Sequence, residues 1–335
     1  MMHTLILIHL GIYNIVAISK ACDGIHIVLV TPKSASLKNF VTVTVGIATT
    51  SLGLEVIMSG KFKRIVALVS EAMQDELTWR KTWQSQSGLQ QNWISKRAYT
   101  GTNQITTMIS AWKNEYKSPY WLTYKQVQNL GGNVKGQTAT PAIFYGTGED
   151  KDTEKKYKFA KLYNLFNLEQ TGIELPTIEL RQTKLERPYE MADALQVSIK
   201  SDPSYNPCYS PVTDTIKMPM PGQFECDDSH QSTFYHECIH STGHSKRLDR
   251  ELTGNFGSED YAKEELVAEL GSVFLCAELG VNYDLKQHAS YIQSWQKAIE
   301  SNPNYLLTAS SAAQKAAEYC MSQFRMMRQY DEEAA

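Results

Sequence analysis

The sequence predicts an α+β protein in two folded parts, and three observations carry that prediction. A chain of 335 residues is long enough for two domains that each bury a core. Charge then turns over along it: residues 58–175 hold 16 Lys and Arg against 10 Asp and Glu, whereas residues 176–335 hold 14 against 24. A basic part followed by an acidic part points to two units with different partners. The pattern changes at the same place. Short strand runs, aromatics and one helix come first, and a hairpin followed by long stretches of helical spacing comes second. The expected organisation is an apolar extension over 1–57, a small basic α+β domain over 58–175, and a larger domain over 176–335 that begins at the Gly- and Pro-bearing linker 172–176.

Composition excludes some classes. Apolar and charged fractions of 42% and 21% match globular norms, so neither disorder nor stable membrane association is expected. Six cysteines, Cys22, Cys208, Cys226, Cys238, Cys276 and Cys320, form no CxxC pair and no dense cluster. A disulfide framework and a cysteine-bound metal are therefore not indicated, and a reducing cytoplasm fits best.

Residues 1–57 are apolar and β-branched. No Lys or Arg precedes Leu5, so the basic start of a signal peptide is missing, and the uncharged run 5–18 falls short of the roughly 20 residues a spanning helix needs. The segment reads as an upstream extension of a frame that properly begins at Met58; a membrane-associated leader and an extra strand pair are the alternatives. From there order sets in. Ile65, Leu68, Val69, Ala72, Met73 and Leu77 recur at helical spacing, predicting an amphipathic helix over 61–77. Trp79, Trp83, Trp93, Trp112 and Trp121 follow, with Tyr99, Tyr116, Tyr120 and Tyr124. Interleaved with them stand Arg80, Lys81, Lys96, Arg97, Lys113, Lys117 and Lys125. Planar rings for bases and cations for phosphates are how a surface for single-stranded nucleic acid is composed, although burial in a small α+β core accounts for most such rings. Turns are expected at Asn129, Gly131, Gly132 and Gly136, and two strands, 142–145 and 159–166, around a charged loop.

In the second part, 209–218 reads as a hairpin turning near Thr213 and Asp214 and closed by Pro219 and Pro221. A helix follows, with Asp227, Asp228 and Ser229 supplying carboxylates and a cap, and Gly243 a stop. It bears His236-Glu237-Cys238-Ile239-His240. Two histidines one turn apart project from one face and can bind the same zinc ion. Glu237, about 100° round the helix, is placed to hold a water beside that ion. A catalytic Zn²⁺ takes three protein ligands and leaves one position open. His244 follows His240 by four residues, but Gly243 intervenes, and the place of a metzincin third histidine is Lys246. A better candidate lies on the next helix, 258–279, whose apolar stripe is Leu266, Leu270, Val273, Phe274 and Ala277. There Glu265 and Glu269 flank the stripe one turn apart, so that one can ligate the ion and the other accept a hydrogen bond from a ligand histidine. Glu264, off the stripe, reads as solvated and, like His244, ranks behind Glu265 as the third ligand.

At this point the chain resembles a known family. Its C-terminal part is similar to the zincin domain of ArdC-type antirestriction proteins, and Glu265-Leu-Val-Ala-Glu269 resembles the glutamate helix of thermolysin-like gluzincins. The likeness extends through the Trp79 and Trp83 pair, Tyr99-Thr-Gly101-Thr-Asn103, Trp121-Leu-Thr123-Tyr-Lys-Gln126, Leu130-Gly131-Gly132 and Phe166-Asn167-Leu-Glu-Gln170, covering nearly all of 61–328. What the resemblance implies is a first domain that binds single-stranded DNA, followed by a zincin-like, gluzincin-type metallopeptidase domain. The whole would shield incoming plasmid or phage DNA from restriction. Candidate DNA contacts are then Arg80, Lys81, Trp83, Lys96, Arg97, Tyr99, Asn103, Lys125 and Lys135. Two features depart from the pattern: the prolines before the paired tryptophans are Thr78 and Thr82, and the basic turn is thinned to Lys135-Gly136-Gln137-Thr138. If the zinc site hydrolyses a protein substrate, Glu237 is the general base, and His288 or Tyr291 is the candidate to stabilise the oxyanion; a metal-stabilised interaction module without turnover is the other alternative.

Overall fold

The computed structural model describes residues 9–10, 13–21, 24–30, 41–45, 62–74, 88–149, 156–177, 189–250, 252, 258–283 and 289–334. Two compact units result, Met1–Gly60 and Lys61–Ala335. In the first, β1 (His9–Leu10), β2 (Tyr13–Ala21), β3 (Gly24–Val30) and β4 (Val41–Val45) pair in that order, each antiparallel to the next. The β-branched composition thus forms strands, four where the sequence suggests at most a pair. No helix among the described residues is long and apolar enough to cross a membrane.

In the second unit the periodicity of 61–77 is realised as α1 (Lys63–Ala72), which buries Ile65, Val69 and Ala72; Leu77 lies outside the described residues. A four-stranded sheet follows, in the order β5 (Gln91–Asn92), β6 (Tyr120–Thr123), β8 (Lys156–Asn167), β7 (Thr140–Glu149). The predicted strand pair is longer than its apolar core, because pairing in the β7–β8 hairpin continues out to Glu149 and Lys156. One face of this sheet packs Trp121, Ala142 and Leu165 against Ala111 of α2 (Thr102–Lys113). On the other, Leu122, Phe166 and Leu168 meet Val127 of α3 (Tyr124–Asn129). Trp121 is fully buried, its indole N–H donating to Gln90 Oε1 at 2.7 Å, so this ring belongs to the core.

Strand β7 forms one edge of the sheet, where unpaired backbone groups invite another strand. Asn103 on α2 closes part of that edge. Its Nδ2 donates to the Ile143 carbonyl at 2.8 Å, and its Oδ1 accepts the Ile143 N–H at 2.7 Å.

Beyond 188, α4 (Glu190–Ala194) leads into a three-stranded sheet of order β10 (Cys208–Ser210), β11 (Thr215–Met218), β9 (Ser198–Ser201). The β10–β11 hairpin turns through Asp214, at a φ of 47°. Four helices complete the unit: α5 (Asp227–Thr242), α6 (Glu259–Leu279), α7 (Ala289–Ser301) and α8 (Asn304–Ala334). The cap of α5 differs from expectation. Its capping position falls on Cys226 without a side-chain bond, and Ser229 sits inside the first turn, buried, with its hydroxyl 3.2 Å from Cys226 Sγ. Asp227 and Asp228 occupy the first turn, where the helix dipole favours carboxylates. By contrast Ser258 caps α6 as a capping residue does, accepting the Tyr261 N–H at 3.2 Å.

Helix α6 is buried almost all round, packing against α5, α7 and α8. Gly271 brings α5 close: a Cβ there would lie 2.9 Å from Ile239 Cγ2. Helix α8 spans the unit. Its Gln314 accepts the Gly101 N–H at 3.1 Å, its Ser310 hydroxyl pairs with Thr102 at 2.8 Å, and its Arg328 bonds Glu190 at 3.1 Å.

The Asn103 clamp makes a prediction. Replacing Asn103 with alanine strands both backbone groups of the buried Ile143, at a cost of about 1–3 kcal/mol, so the urea midpoint of the full chain should fall with little change in slope. An unchanged midpoint would show the clamp to be dispensable.

Candidate metal centre

One turn of α5 and the middle of α6 supply the site. Because α5 is an unbroken helix through the motif, His236 and His240 share a face, and their Nε2 atoms lie 3.1 Å apart. The close approach at Gly271 brings α6 within side-chain reach. Glu265 places Oε2 at 3.5 Å from His236 Nε2 and Oε1 at 3.5 Å from His240 Nε2. All three donors lie within 4.8 Å of one another. A tetrahedral ion with bonds of about 2.0–2.1 Å needs donors roughly 3.3 Å apart, so two imidazoles and a carboxylate at these separations fit a divalent metal ion. His236 and Glu265 are 2% and 5% exposed.

The imidazoles are oriented from behind. His240 Nδ1 lies 3.3 Å from Glu264 Oε1, which fixes the proton on Nδ1 and leaves the Nε2 lone pair directed into the centre. Glu264 is gripped by Arg250 through both oxygens, at 2.7 and 3.1 Å. The same guanidinium donates to the Ile239 carbonyl at 2.9 Å and to Thr242 Oγ1 at 2.7 Å, both at the C-terminal end of α5. Burial works against ionising Glu264, yet the hydrogen bonds from His240 and Arg250 hold its carboxyl below the usual range. Burial likewise opposes a charge on His240, but bonds to Glu264 and Glu265 and the charges of Glu265 and Glu237 outweigh it and push its pKa up to about 10.

Glu237 is buried, 6% exposed, and its charge reaches both His240 and Cys208. Cys208 comes from β10, an edge strand of the three-stranded sheet, and partial burial together with Glu237 raises its thiol. Behind that strand, Arg247 bonds Asp214, the Tyr209 hydroxyl and the Ser241 carbonyl, tying the hairpin turn to the end of α5.

The model of a zincin-like metallopeptidase family matches residues 186–312, and that of the N-terminal domain of the anti-restriction factor ArdC matches 61–166. The crystal structure of the antirestriction ArdC protein from the R388 plasmid is 30% identical in sequence and superposes with a TM-score of 0.66. In its metal-free form it covers 79% of this chain and 98% of its own, and in its Mn(II)-bound form 78% and 97%. The chain belongs to the ArdC antirestriction family. DNA primase TraC of Escherichia coli is 32% identical over 283 residues, which are 76% of this chain and 26% of TraC. The chain thus spans about a quarter of that relative's length. An uncharacterized protein y4eC of Sinorhizobium fredii is 32% identical over 249 residues, 69% of this chain and 80% of that one.

Within this ArdC-family fold the remaining candidates fall in several places. His244 is not part of the cluster; its Nδ1 accepts the Lys246 N–H at 3.2 Å. Glu264 is not solvated: its side chain is 12% exposed, because the flank of α6 that carries it faces α5 and Arg250. Sequence reasoning weighed Glu264 only as a lesser third ligand and passed over Arg250; the local signal for Glu264 was an acidic residue beside a candidate ligand. Glu269, 2% exposed, lies one turn on, beside Tyr283, whose hydroxyl is pushed up by burial and by Glu269. His288 and the Tyr291 side chain lie outside the described residues.

Of the DNA candidates, Arg80, Lys81 and Trp83 also lie outside them. Lys96 and Arg97 are exposed, and the Lys96 ammonium sits 3.0 Å above the Trp93 ring centroid and 4.5 Å from that of Tyr120. Tyr99 is half-buried, and its hydroxyl accepts from Asn92, which also donates to Gln126 at 3.1 Å on the helix that carries exposed Lys125. Lys135 is exposed in the turn after Gly132. The Asn103 amide is committed to Ile143.

The carboxylate behind His240 carries a prediction for this centre. Glu264→Gln keeps the shape and removes the charge, so divalent-metal affinity measured by calorimetry should fall about 10–100-fold with the circular dichroism spectrum unaltered. Parental affinity would show that packing alone holds His240.

Proposed function

We propose that this chain is an antirestriction protein that binds single-stranded DNA through residues 58–175 and holds one Zn²⁺ in the unit that follows, protecting incoming plasmid or phage DNA from host restriction. The observation that carries the reading is the converging triangle of His236, His240 and Glu265 in a member of the ArdC family. Zinc suits it because two imidazoles and one carboxylate leave a fourth position open. Support for the nucleic-acid half comes from the excess of Lys and Arg over 58–175 and from the exposed cations at Lys96, Arg97, Lys125 and Lys135. Metal analysis tests the ligand set: Glu265→Ala should abolish tight binding of one ion per chain, whereas His244→Ala should retain it. The reverse result would reassign the third ligand.

A second reading, a zinc peptidase acting on a protein substrate, is favoured by Glu237 and by the outer strand β10 beside it. Bound Zn²⁺ would supply Lewis acidity toward a peptide carbonyl and lower the pKa of water toward about 7. Glu237 would take the proton of the attacking water and pass it to the leaving nitrogen. Glu237→Gln separates the two readings. If coating of DNA protects, the zinc-loaded variant should still prefer single strands over duplex and still protect transferred DNA in a restricting host; loss of protection with metal and DNA binding intact would favour turnover.

A further inference from the structure

Strands β7 and β8 run together beyond the body of their sheet, and one face of that projection has the makings of a binding surface. Near the body the face is core: Leu165 lies across from Thr140, and Tyr163 across from Ala142, in the cluster that includes Trp121 and Tyr99. Further out the cover ends. Phe144 is 54% exposed and stands directly across from Lys161, also exposed, and the next pair on the same face is Gly146 and Phe159.

Gly146 explains how the rings are held. A Cβ on it would lie 2.5 Å from Phe159 Cζ and 2.9 Å from Phe144 Cε1, so both rings occupy the space that any other residue would fill. Their centroids are 6.1 Å apart and their planes 51° from parallel. The result is two rings held over bare backbone, Phe144 exposed and Phe159 half-buried, with Lys161 across the strand pair from Phe144.

We propose that this distal face, Phe144, Phe159 and Lys161 on a platform set by Gly146, is a stacking site for single-stranded nucleic acid. It continues outward the aromatic row that starts at Tyr99 and Tyr163, and it rests on the reading of the chain as a single-strand binder. Exposed rings stack on unpaired bases of any sequence, whereas a duplex hides its base faces. Charge selects this occupant over a protein partner, because the centres of protein interfaces are depleted in lysine and here exposed Lys161 stands directly across from Phe144 within the patch, where a phosphate would meet it.

The test uses the full chain and a labelled oligothymidylate, which forms no duplex, read by fluorescence anisotropy across a salt series. Phe144→Ala and Phe159→Ala should each weaken binding about five- to a hundredfold without changing the slope of log affinity against log salt. Lys161→Ala should flatten that slope by about 0.7. Gly146→Ala retains both rings and the charge, and should weaken binding as a ring removal does by displacing Phe159. Thermal midpoints equal to the parent's exclude misfolding as the cause. Parental affinity in both Phe variants, while the parent binds, would overturn the site and leave single-strand binding to the surface around Lys96 and Tyr99. A parent that does not bind oligothymidylate at low salt would overturn the single-strand reading itself. Loss of self-association in Phe144→Ala with unchanged oligonucleotide binding would reassign the patch to a second copy of the chain.

Discussion

Everything in the second unit answers to one constraint: negative charge held inside a helical core. Glu237 on α5 and Glu264, Glu265 and Glu269 on α6 all have little or no access to water. Burying carboxylates costs several kcal/mol each unless opposite charge and hydrogen bonds accompany them. Arg250 meets Glu264, which also pairs with His240 Nδ1. A divalent cation held by His236, His240 and Glu265 would bring positive charge among these carboxylates. Selectivity then falls to geometry, since two nitrogens and one oxygen at these separations favour a small ion with few ligands over a large one with many.

The close packing of α5 on α6 sets the dimensions of that arrangement. Gly271 against Ile239 brings the helices near enough for Glu265 to reach both imidazoles, and Arg250 fastens the end of α5 to the flank of α6. A larger residue at 271 would move a ligand without touching one.

How much of this could be read beforehand depended on range. The spacing of His236 and His240 is a property of one helical turn, and Glu265 beside an apolar stripe is a property of one helix, so both were legible. Glu264 was not. The amphipathic argument assigns off-stripe residues to solvent, but α6 is enclosed on nearly every side, by partners far away in the chain, and an enclosed helix has no solvent face. Arg250 comes from a loop whose direction no local pattern encodes. In the first part of the unit, composition marked an aromatic and basic region but could not separate Trp121, fully buried, from Phe144, which faces out, because both satisfy the same alternation. Asn103 entered only as a candidate DNA contact, whereas its amide closes a strand edge, a role that exists only once β7 is in place.

Helix α8 has a consequence for how such proteins are inherited. It clasps Gly101 and Thr102 near one end and Glu190 near the other, so it belongs equally to the region that resembles the ArdC N-terminal domain and to the metallopeptidase-like region. A genetic exchange joining two parents between these regions would match one parent's α2 to the other's α8, and every contact across that seam would have to be re-fitted. The piece that can be passed on intact runs from α1 through α8. Agreement with a much longer relative over 283 residues is what a block moved whole into a larger protein would leave behind.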